Sequence, residues 1–171
     1  ERNGANDTAE QPAKLDGVGL KFGIVTSEFN EKISAKLRLA AHRELIASGV
    51  AEEHILERTV PGAYELPLLA QVMLENTDID AVICLGSVIR GETSHYDYIC
   101  DAIASSFQRI SLRLHKPVIS GVLTTENLEQ ALARSGGDKG NRGIDAARAA
   151  LAMCHRLSEF NAVEKILRER V

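Results

Sequence analysis

The sequence predicts an α/β fold of three layers, α/β/α, in which a four-stranded parallel sheet carries helices on both faces. Three observations predict it. Apolar runs of strand length alternate with stretches of helical periodicity along most of the chain. The run "DAVICLG" (80–86) is apolar without alternation, as a strand buried on both faces requires. The 171 residues, 44% of them hydrophobic, are enough for one domain with a substantial core.

The elements follow in order. "KFGIVT" (21–26) is the first strand. In the helix that follows (31–49), Ile33, Leu37, Ala40, Ala41 and Leu45 recur at helical spacing, and Gly49 provides the stop. "HILERTV" (54–60) is the second strand. "PGAYELPLLAQVMLENT" (61–77) opens on Pro-Gly and turns helical, with Pro67 tolerable only near the first turn. "DAVICLGSV" is the third strand, and a long helix spans 94–115. "PVISGVLTT" (117–125) is the fourth strand, followed by a short helix over 126–136 and a long terminal one over 143–170. Residues 1–19 are polar, with no apolar core of a secretory signal, and read as a flexible arm. Residues 20–171 form a single domain.

Charge narrows the partners. A net charge of −4 advertises neither nucleic acid nor an anionic membrane, so any phosphate binding must be local. No apolar stretch approaches the ~20 residues of a membrane span. The three cysteines, Cys84, Cys100 and Cys154, are widely spaced and form no C-x-x-C, which suits a reducing cytoplasm. The histidines and cysteines are not spaced as metal ligands, and no cofactor is implied.

In parallel sheets ligands bind beyond the carboxyl ends of the strands. That rule selects "TSEFN", "PGAYE", "GSVIRGETSH" and "TTEN". None matches a dinucleotide or P-loop glycine pattern, and Ser87, Ser94 and His95 lack the elbow and orienting acid of a hydrolase triad. The third segment is the richest. Gly91 lets the backbone pass close to a ligand, Thr93 or Ser94 can cap the next helix, and the N–H groups of Glu92, Thr93 and Ser94 form an anion site at its start. His95 stands beside them, placed for proton transfer. Phe29 and Tyr64 supply rings for stacking a planar heterocycle, and Glu65 an acceptor for hydroxyls. Phe29 reads equally well as core. Arg134 at a helix end reads either as dipole compensation or as a phosphate clamp. His42, His54, His115 and His155 lie away from the carboxyl ends and read as structural or surface residues. The residues alone thus describe a metal-free site for a polar, aromatic-stacking substrate with an anion pocket and one proton-transfer histidine.

"SEFN", "VPGAYELP", "LGSVIRGETSHYDYIC", "GVLTTENLEQALARSG" and "GNRG" stand in the order and spacing of the lumazine synthases, and the chain resembles that family over roughly residues 20–160. The resemblance implies a flavodoxin-like sheet. It implies condensation of 5-amino-6-(D-ribitylamino)uracil with 3,4-dihydroxy-2-butanone 4-phosphate to 6,7-dimethyl-8-ribityllumazine, the penultimate step of riboflavin biosynthesis. By the same resemblance, Phe29, Ala63, Tyr64 and Glu65 contact the pyrimidine and ribityl chain. Ser87, Val88 and Ile89 read the ring through their backbone. Glu92, Thr93, Arg134 and Arg142 hold phosphate, and His95 transfers protons. The family assembles as homopentamers, often twelve to a sixty-subunit shell, with sites shared between neighbours, so Ser120 and Arg134 would come from the adjacent subunit. The short "RSGGDKGNRG" connection favours the shell. Ser120 departs from the large apolar residue common there, which leaves open a protein that binds such a ligand without turnover.

Overall fold

The computed structural model describes residues 15–168, with side chains as far as residue 161. The expected arm lies outside the described residues up to residue 14. From there Leu15 packs against the core and the Gly17 N–H donates to the Ser48 carbonyl.

The main sheet has the order β2-β1-β3-β4, all parallel, as expected. Its strands are β1 (Phe22–Ser27), β2 (Ile55–Val60), β3 (Ala81–Ile89) and β4 (Val118–Thr125). All six residues of β1 and the first seven of β3 are buried. Alternate side chains of these strands feed two separate cores. On one face Phe22, Ile24, Ile83 and Leu85 pack with Leu37 and Leu45 of α1 (Glu31–Ala47) and with Ala146, Ala147, Ala150 and Leu151 of α5 (Arg142–Arg168). On the other, Val25, Val82 and Cys84 pack with Leu66 and Ala70 of α2 (Leu66–Asn76) and with Ile103, Phe107 and Ile110 of α3 (His95–Leu114). Each fully buried large side chain contributes roughly 1.5–3 kcal/mol. The chain therefore folds as the three-layer α/β/α arrangement of the flavodoxin-like class.

Local signals explain most boundaries. Gly49 sits just past α1 at φ +95°, the left-handed geometry that glycine adopts freely. Pro67 falls in the first turn of α2, after a 3-10 turn at Ala63–Glu65. The expected helix over 126–136 is shorter, α4 (Leu128–Arg134), capped by Asn127, whose side chain accepts from the Gln130 N–H at 2.9 Å. Beyond it the chain forms an antiparallel hairpin that the sequence reading did not anticipate, β5 (Ser135–Gly137) and β6 (Gly140–Asn141). No described helix is long and apolar enough to cross a membrane.

Two of the histidines away from the crevice, His42 and His155, hold structure. His42 bridges α1 to β2: Nδ1 lies 2.8 Å from Glu57 Oε1 and Nε2 3.1 Å from Glu52 Oε2. Burial pulls its pKa down, but the hydrogen bonds to Glu57 and Glu52 outweigh that and leave it raised. The His155 ring meets the Asp16 carbonyl.

Two outcomes test this packing. A methyl at Gly143 would collide with the Leu37 carbonyl oxygen and lie 2.9 Å from its carbon, prising α5 off α1. Gly143→Ala should lower the urea midpoint by an amount equivalent to roughly 1–3 kcal/mol with an unchanged slope. Because the folded state raises the His42 pKa, its contribution is complete below the ordinary value of about 6.5 and fades as pH climbs through the raised one. The stability gap between wild type and His42→Gln should therefore shrink from pH 5.5 to pH 8; a gap that widens contradicts the ion-pair geometry.

Candidate active site

The order β2-β1-β3-β4 reverses direction at β1, so the crevice between the carboxyl ends of β1 and β3 is where a ligand fits. A pocket of about 360 Å³ lies there. Phe29 enters from the loop after β1, Ala63 and Tyr64 from the 3-10 turn after β2, Ser87, Val88 and Ile89 from the end of β3, and Gly91, Thr93, His95, Tyr96 and Ile99 from the loop and first turns of α3. The lining is mostly apolar with a few polar groups, the usual make-up of a small-molecule site.

Each wall has a local cause. Asn30 takes the left-handed conformation, φ 60°, and its Nδ2 donates to the Ser87 carbonyl at 2.9 Å. That bond ties the loop after β1 to the end of β3. Phe29 is left 71% exposed, which excludes the core reading and offers its ring to the crevice. Tyr64, 60% exposed, faces the same pocket. Glu65 has a duty of its own: its Oε2 accepts the Gly62 N–H at 2.9 Å and so holds the 3-10 turn in shape. Ser87 is 2% exposed, and its hydroxyl has no partner among the described residues. Burial lifts the Tyr96 hydroxyl above its ordinary pKa, so it stays neutral.

The loop between β3 and α3 is open as an anion site requires. Ser94 is the N-cap but makes no side-chain cap; the His95 N–H instead reaches Thr93 Oγ1 at 3.4 Å. Among the described residues the backbone N–H groups of Gly91, Glu92, Thr93 and Ser94 find no protein acceptor. They are exposed at the positive end of a 20-residue helix.

Other expected residues stand apart in the single chain. Ser120 pairs with Cys84 and Ser87 with Leu123, so Ser120 lies three residues back along edge strand β4, roughly 10 Å from the pocket rim. Arg134 donates to the Gln130 carbonyl of its own helix at 3.1 Å and lines a separate cleft of about 790 Å³ with Lys36 and Lys139. Arg142 begins α5, 4.0 Å from Asp145. Glu92 is exposed and does not line the pocket. The sequence reading missed Tyr96 and Ile99, whose spacing resembles an ordinary helix face, and Asn30, whose role depends on a partner 57 residues away. Among the described residues no three His, Cys, Asp or Glu side chains converge as metal ligands.

The Asn30 bond can be tested alone. Asn30→Gly keeps the left-handed backbone and loses the hydrogen bond, which should cost about 1 kcal/mol. Asn30→Ala loses the bond and also strains the backbone, for about 2–3 kcal/mol in all. Equal urea midpoints for the two variants would show that the backbone at Asn30 carries no strain.

Residues 19–158 match the family model described as 6,7-dimethyl-8-ribityllumazine synthase. The match spans well over half of the 171 residues. The chain belongs to that family, whose enzymes serve riboflavin biosynthesis.

Proposed function

We propose, with that membership as premise, that the protein condenses 5-amino-6-(D-ribitylamino)uracil with 3,4-dihydroxy-2-butanone 4-phosphate and releases 6,7-dimethyl-8-ribityllumazine, phosphate and water. The observation that carries the proposal is the pocket itself: exposed rings, strand-end backbone, an open anion loop and one histidine meet at the switch point of the sheet. The pyrimidine stacks on Phe29 and lies along Ser87, Val88 and Ile89, with its ribityl chain toward Ala63, Tyr64 and Glu65. The phosphate docks on the loop at Glu92 and Thr93.

The ring's amino group attacks the ketone, and water leaves as the imine forms. Removal of the proton on the neighbouring carbon expels phosphate by cleavage of its C–O bond. The resulting enol tautomerises to a ketone. The ribityl-bearing nitrogen closes on that ketone, and a second water leaves. His95, exposed beside the phosphate loop, is the group that takes and returns these protons. Holding the two substrates together supplies much of the acceleration.

The assembly is part of the proposal. Ser120 and Arg134, remote from the pocket of their own chain, serve a neighbour's pocket in a homopentamer, with the sixty-subunit shell as the favoured form, and Arg142 joins Arg134 at the phosphate. The groove between α2 and α3, where Leu68, 71% exposed, stands beside Gln71, Arg109 and Arg113, supports a subunit contact. The proposed setting is the reducing cytoplasm, which suits the three free cysteines.

Mixing the protein with both substrates should yield lumazine absorbance and fluorescence; at saturating substrate, a rate no higher than the spontaneous condensation sinks the proposal. Tight binding of lumazine without turnover would favour the non-catalytic alternative. His95→Ala should lose roughly 10- to 1000-fold in rate and retain a remainder, and wild-type kinetics in that variant would remove His95 from the proton transfers.

A further inference from the structure

The loop that carries Thr93 and His95 into the pocket has almost no bonds of its own. Its four residues, 91–94, are all exposed, its helix lacks a side-chain cap, and its one internal side-chain bond is 3.4 Å long. What ties it down lies at its two ends. Arg90 Nη1 and Nη2 reach Asp97 Oδ2 and Oδ1 at 3.1 and 2.9 Å, a fork that fixes rotation as well as distance. The Arg90 Nε donates to Glu126 Oε2 at 2.8 Å, and the guanidinium lies over the Tyr96 ring, 4.1 Å from its centroid. The Arg90 backbone N–H donates to the Thr125 carbonyl at 2.8 Å. One side chain thus joins the end of β3, the first turn of α3 and the end of β4. It does not line the pocket, but Ile89, Gly91, His95 and Tyr96 on either side of it do.

We propose that Arg90 and Asp97 form a clamp across the base of this loop that positions Thr93 and His95 for the condensation. The kinetic half of the proposal rests on the function proposed above. Arg90 is a positioning residue, since it acts through the loop and touches no reacting atom. As an ion pair it adds little stability, because Arg90 is 34% and Asp97 54% exposed. Its effect is geometric: without the fork, α3 can roll on Tyr96 and the loop can lift from β4. Displacements of about 1 Å cost up to about 100-fold in rate. The loss falls on the phosphate side, because Phe29, Tyr64 and Ser87 to Ile89 are held by other elements. Lysine carries the same charge but has no planar fork to offer both carboxylate oxygens.

The test uses the full chain in its native assembly and compares wild type with Arg90→Met, Arg90→Lys and Asp97→Asn. In hydrogen exchange, the first hydrogen-bonded N–H groups of α3, those of residues 97–101, should exchange roughly tenfold faster in each variant, with β1 and β3 unchanged. In kinetics, kcat/KM for the butanone phosphate should fall roughly 10- to 100-fold while KM for the pyrimidine stays within about twofold. Arg90→Met combined with Asp97→Asn should be no worse than Arg90→Met alone. Wild-type exchange in 97–101, full rescue by Arg90→Lys, or faster exchange with unaltered kcat/KM each overturns the proposal. If Arg90→Met fails to fold, Asp97→Asn decides the same points. A wild-type protein without condensation activity sinks the proposed function, and the exchange data alone then judge the clamp.

Discussion

Two strands without a solvent face govern this molecule. β1 is buried along its whole length and β3 along its first seven residues. Strands enclosed on both sides must be flanked by helices, so each connection becomes a crossover and each strand runs the same way. All carboxyl ends then open on one edge of the sheet. The pocket follows from that: its lining comes from the ends of β1, β2 and β3 and from the start of α3, segments far apart in the chain and adjacent because of the crossovers.

The walls of the pocket differ in how firmly they are held. Val88 and Ile89 belong to a strand paired with β4, and Ser87 is buried and further tied through Asn30. Phe29 and Tyr64 stand on short turns anchored by the Asn30 side chain and by Glu65. The loop before α3 rests on few contacts. The crevice therefore has one firm wall, built on paired strands, and one loose wall at the start of α3.

The four main strands and most helices were legible because their periodicities are clean: "DAVICLG" cannot be an amphipathic strand, and Ile33, Leu37, Ala41 and Leu45 trace one buried stripe. The hairpin of β5 and β6 was not, since "SGGDKGN" contains no β-branched or aromatic residue, and its strands form by backbone pairing with Gly136 and Gly140 at positive φ. In the site, pocket-lining residues on strand-end loops could be picked out from type and position: Phe29, Tyr64, Thr93 and His95 all line the pocket. Asn30 and Arg90 could not, because their partners, Ser87, Asp97 and Glu126, are brought to them only by the fold. Ser120 and Arg134 mark the opposite limit: the folded chain itself holds them away from its own pocket.

Glu65 shows how one group can hold a turn and still present a second acceptor. Its Oε2 accepts the Gly62 N–H, and its Oε1 has no hydrogen bond among the described residues. The usual neutral mimic, an amide, cannot imitate both. Turned with oxygen toward Gly62, glutamine would keep the turn but present an NH2 where Oε1 stood, converting acceptor to donor. Turned the other way, it would keep the outward acceptor and oppose one N–H with another. The carboxylate is thus selected here less for its charge than for its symmetry: two equivalent acceptors on a single carbon, one facing the protein and one facing out.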